Sequence, residues 1–128
     1  MRLILLRTIL GAAVLAVPIA ASAGISLSPI MQAWNHDRRS IQAMLSGRIP
    51  YDETQIRQEL ENYITNSSAA ARNAHGGSAE ARDFAARFAA FANDSRAALD
   101  AASQPSALRQ NFDRMLSDCR SCHAIYNN

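Results

Sequence analysis

The sequence predicts an all-α protein built as an antiparallel up-down-up-down four-helix bundle. Three observations predict it. Apolar residues recur at spacings of three, four and seven along four separate segments, and no stretch sustains the two-residue alternation of a strand. The connections between the segments are short, which favours antiparallel neighbours.

The first helix is expected to begin at "SPIMQAW", with Ser28 as its cap and Pro29 at a first-turn position where a missing N–H leaves nothing unsatisfied. Ile30, Met31, Trp34, Ile41, Met44 and Leu45 fall on one stripe, which Arg38 interrupts as a side chain able to snorkel, and Gly47 ends the helix. Pro50 then forces the preceding residue out of helical geometry, and Asp52 with Gln55 makes a variant of the capping box that starts the second helix. Ile56, Leu60, Tyr63 and Ile64 form its stripe, and the Gly76-Gly77 pair places a loop at about residues 75–78. The third helix, capped by Ser78, carries Phe84, Phe88, Phe91 and Leu99 on one face, with Glu80 and Asp83 near its positive end. The fourth starts around Pro105 and carries Leu108, Phe112, Met115, Leu116 and Cys119 inward.

At 128 residues, 48% of them apolar, the chain is long enough for one domain with a modest core. Residues 1–23 have the order of a secretory signal: Arg2 and Arg7, an apolar run from Ile9 to Ala20, then the small residues of "ASAG", with cleavage expected after Ala23. The run is shorter than the roughly 20 apolar residues needed to span a bilayer, so no stable membrane insertion is expected of the mature domain, residues 24–128. All thirteen basic side chains are arginine, and two lie in the signal, which leaves eleven against the eleven acids. With charges balanced and alternating along the chain, nothing resembles a nucleic-acid footprint, and no catalytic constellation points to an enzyme.

The chemistry lies in "CRSCH", where Cys119, Cys122 and His123 match C-x-x-C-H. Covalent haem attachment needs two thiols to add to the porphyrin vinyl groups and an imidazole placed to reach the iron, and this motif supplies all three. Export to an oxidising compartment also allows a haem-free thiol-disulfide protein, but such enzymes place Cys-x-x-Cys at a helix N-terminus, whereas this pair sits near a helix C-terminus. Zinc would need a further ligand, and the other histidines, His36 and His75, have no paired spacing.

With "CRSCHAIY" at its end and "IQAMLSGRIPYDETQI" at its first turn, the chain resembles the cytochrome c′ family of exported bacterial four-helix bundles. The resemblance spans the mature chain and implies one covalently bound haem c, with His123 as proximal iron ligand. It also implies a periplasmic location, redox partner proteins and homodimerisation through the first two helices. This chain has Leu27 where the family commonly has an arginine beside a haem propionate, and Asn127 where a basic residue commonly follows the haem histidine. Many relatives also have a longer crossover between the second and third helices.

What faces His123 decides function: a thioether gives a six-coordinate electron carrier, an apolar side chain an iron open to nitric oxide or carbon monoxide. Antiparallel first and fourth helices place residues just inside the first level with the end of the fourth, which selects Met31, and the family position counted back from Pro50 agrees. Met44, roughly 20 Å further along the axis, is expected in the core at the far end, and His36 on the surface. Trp34 and Tyr126 are the residues expected against the haem. The expected function is a monohaem electron carrier with a low-spin His123/Met31 iron.

Overall fold

The computed structural model describes residues 27–74 and 76–126. The expected secretory segment, His75 and Asn127 lie outside them. Four helices follow in chain order, α1 (Leu27–Leu45), α2 (Glu53–Asn73), α3 (Ala79–Asp100) and α4 (Pro105–Tyr126). Each packs on the next, with α2 against α3 the most extensive pair, so the chain is all-α and forms the up-down bundle that its periodicity predicts.

The boundaries follow local chemistry. Asp52 caps α2 by accepting from the Gln55 N–H at 3.0 Å, and Ser78 caps α3 by accepting from the Ala81 N–H at 3.1 Å. Gly47, at φ +74°, closes α1: its N–H donates to the Met44 carbonyl and that of Arg48 to Ala43, the paired bonds of a Schellman turn. A side chain at position 47 would be strained by that backbone conformation.

Two expectations about caps need correction. Leu27, the first described residue, is already helical, so Ser28 lies within α1 instead of capping it, and Pro29 follows it inside the helix. The capping box at α2 is half made. Gln55 turns its amide to Ser40 Oγ and Glu59 Oε1, both at 2.9 Å, and the Asp52 N–H donates instead to Met44 Sδ at 3.4 Å. A contact with α1 has replaced the local reciprocal bond.

The core runs the length of the bundle. Ile41, Ile56, Leu60 and Leu108 are fully buried, one or more from each of α1, α2 and α4, and Phe88, Phe91 and Ala98 close it from α3. Met44 is buried among them, as expected for the end remote from the cysteines. A Leu108→Ala variant is expected to lose about 2–5 kcal/mol of stability, measured by urea unfolding, because it opens a void where no solvent reached. Ile125→Ala, at a side chain 58% exposed, should stay within about 0.5 kcal/mol of the parent.

At the opposite end from the cysteines, long-range hydrogen bonds tie the elements together: Tyr51 Oη to the Ala102 carbonyl, Arg109 to the Leu45 carbonyl, and Arg57 to the Leu99 carbonyl at 3.3 Å. At the cysteine end α1 and α4 enclose a cavity.

Candidate cofactor site

The cavity measures about 780 Å³, within the roughly 300–1,000 Å³ of sites that bury a cofactor-sized ligand. α1 supplies Met31, Trp34, Asn35, Arg38 and Gln42 to its wall, and α4 supplies the turns from Phe112 to Ala124. Tyr63 of α2 and Arg87, Phe88 and Phe91 of α3 close the back. The aromatic wall is interlocked: Trp34 packs on Tyr63 and Phe91 at centroid distances of 5.3 and 5.0 Å, and the Tyr63 hydroxyl donates to the Trp34 carbonyl at 2.6 Å.

Three of the residues that carry the C-x-x-C-H chemistry meet here for a helical reason. Positions 119, 122 and 123 are separated by three and four residues, so they share one face of the last turns of α4, and all three line the cavity. Cys119 and Cys122 are half-buried and His123 is exposed. Burial first, then Asp118 and Cys122, pushes the Cys119 thiol up to about 11, and burial also raises Cys122. Both remain thiols at neutral pH, on a helix whose C-terminal end disfavours negative charge. Among the described residues, no three His, Cys, Asp or Glu side chains come together as a metal-ion site.

Met31, half-buried, lines the same cavity from α1, so the antiparallel register brings it and His123 to one space. Trp34 lines it too. No family model matches the chain, and no curated protein matches it. Among the described residues, no helix is long and apolar enough to cross a membrane.

Tyr126 takes another place. Its hydroxyl donates to Asp83 Oδ2 at 2.7 Å and its ring meets Phe84 edge-on at 5.4 Å, so it joins α4 to α3 and is not part of the cavity wall. Asp83 is held well below the usual carboxylate range by that bond and by Arg87, whose Nε lies 2.8 Å away. His36 is exposed, off the inward stripe.

Several residues that line the cavity carried no site role in the sequence. Arg38 bonds Gln42 at 2.9 Å and Asn35 at 2.7 Å and so stands at the cavity edge as a cation held by its own helix. Arg87 donates to Ser121 Oγ at 2.9 Å across α3 and α4. Asp118, one residue before Cys119, also faces the cavity. Its position four residues before Cys122 is the one signal that could have marked it.

The cavity fits a haem on two counts. Its back is aromatic and aliphatic with polar and charged side chains such as Arg38, Arg87 and Arg120 around it, and the donor set of two thiols, an imidazole and a thioether is what covalent attachment and axial ligation of iron require. In addition, the Trp34 indole Nε1 is buried and donates to nothing in the protein, which marks this wall as built against something more than protein.

Proposed function

We propose that the mature chain is a periplasmic monohaem c-type cytochrome of the cytochrome c′ type, a methionine-ligated member that carries single electrons. The observation that supports this most strongly is the meeting of Cys119, Cys122 and His123 with Met31 on one aromatic-walled cavity of about 780 Å³. The two thiols would hold the haem covalently, and His123 and Met31 would be its axial ligands. Bound there, haem supplies a one-electron couple at iron.

The protein's part is to bind, orient and shield. Trp34, Phe88, Phe91 and Phe112 exclude water from the wall. Arg38, Arg87 and Arg120 are the cations around the cavity and so the groups available to haem carboxylates, in place of the family arginine that Leu27 replaces. The high proton affinity of Cys119 counts against a thiolate-dependent oxidoreductase, whose attacking sulfur must be ionised near neutral pH.

The test is expression in a bacterial periplasm with haem-maturation factors. The purified protein should be red, with haem that survives denaturing electrophoresis, and its oxidised spectrum should show the weak red band of a sulfur-ligated iron. A C119A/C122A double variant should lose all covalent haem. High-spin iron that binds carbon monoxide at once would make this the gas-binding form of the same bundle, and a colourless protein with a reactive dithiol would replace the haem reading altogether.

A further inference from the structure

We propose that Asp118 and Asp94 form a proton-binding site linked to the redox state of the group in the cavity, so that Asp118 takes up a fraction of a proton from water when one electron arrives and releases it when the electron leaves. The proposal rests on the haem reading above.

The geometry is specific. Asp118 of α4 lines the cavity and directly precedes Cys119, while Asp94 stands opposite on α3, close enough for the two carboxyls to share a hydrogen bond. Such a bond needs a proton on one of them. Asp118 Oδ2 is buried and has no hydrogen-bond partner in the protein. Two carboxylates in one half-buried site cannot both ionise freely. Burial first, then Asp94, accordingly pushes Asp118 up to about 6, against the pull of Arg114 on its own helix. The other charged or titratable groups facing this space are Cys119, Arg120, Cys122 and His123 of α4, Arg87 of α3, Arg38 of α1 and Tyr63 of α2.

The linkage has a definite sign. An electron entering beside Asp118 adds negative charge and raises its proton affinity, and by reciprocity the protonated carboxyl favours the electron. One electron comes from an external one-electron donor; in the fraction of molecules that respond, one proton comes from water and one O–H bond forms on Asp118, and the rest are reduced with no change at the carboxyl. The potential therefore falls as pH rises between the proton affinities of the oxidised and reduced forms.

Redox titration of the intact haem protein between about pH 5 and 8, monitored optically, is the test, with infrared difference spectra of the same samples. Expected are a potential that declines with pH, an inflection roughly half a unit higher in the reduced form, and a protonated-carboxyl band that grows on reduction. D118N should remove both the decline and the band. D94N, which changes a residue outside the cavity wall, should move the inflection about one unit toward acid by relieving the like-charge repulsion. D94N keeps the test decisive if D118N fails to mature. A red protein with a pH-independent potential, or an unmoved inflection in D94N, overturns this site alone; a colourless protein overturns the haem reading and this proposal with it.

Discussion

On the proposed His123/Met31 ligation, replacing Met31 by alanine is expected to turn low-spin, six-coordinate haem iron into high-spin iron that binds carbon monoxide readily. With the proposed Met31 thioether on the iron, an external ligand must first displace it. If Met31 leaves the iron in only about 1% of reduced molecules, its removal tightens carbon monoxide binding about 100-fold. The red band of sulfur ligation should vanish from the oxidised spectrum at the same time. Met44→Ala is the control, because Met44 is 3% exposed and lies outside the cavity wall. It should cost about 2–5 kcal/mol of stability and leave the spectrum alone. A Met31→Ala spectrum identical to the parent's would remove Met31 from the iron and with it the carrier reading.

These predictions draw on features that the sequence displays unequally. The helices were legible because each element's inward face repeats within the element: Ile56, Leu60 and Tyr63, or Phe88 and Phe91, mark a stripe without knowledge of the partner. Caps such as Asp52 and Ser78 act over three residues and were legible for the same reason. Cys119, Cys122 and His123 form a contiguous motif, and Met31 followed from the antiparallel order of the first and last helices. What escaped needs the register between helices. Helical spacing alone sets Tyr126 four residues after Cys122, on the same face, yet Asp83 and Phe84 of α3 draw it aside. Gln55 has a local partner available and takes Ser40 of α1 instead. The Asp118 and Asp94 carboxyls lie on different helices, so neither stripe announces the other.

A chain that cannot attach haem, C119A/C122A, is expected to keep most of its helix and lose its fixed tertiary structure at the cysteine end. Without its cofactor, a half-open cleft of about 780 Å³ would leave the faces of Trp34, Phe88, Phe91 and Phe112 against water, at a cost of roughly 25 cal/mol per Å² of apolar surface. The bundle must therefore collapse into the space or let α1 and the end of α4 loosen. Loosening is the favoured outcome, because α1 packs far less extensively on α2 than α2 does on α3, and the wall it offers is the large Trp34. The near-ultraviolet signal of Trp34, the chain's single tryptophan, should fade while far-ultraviolet helicity persists, and a dye that reports exposed apolar surface should bind. Amide exchange should stay slow around Ile56, Leu60, Phe91 and Ala98, where α2 and α3 bury their stripes, and become fast around Met31 and from Cys119 to Tyr126. Alanine at the two cysteines removes little volume itself, so a loss of this extent reports the missing cofactor. A double variant with a native near-ultraviolet spectrum and cooperative unfolding would mean that the cavity closes without a ligand, and that the space between α1 and α4 is not built around haem.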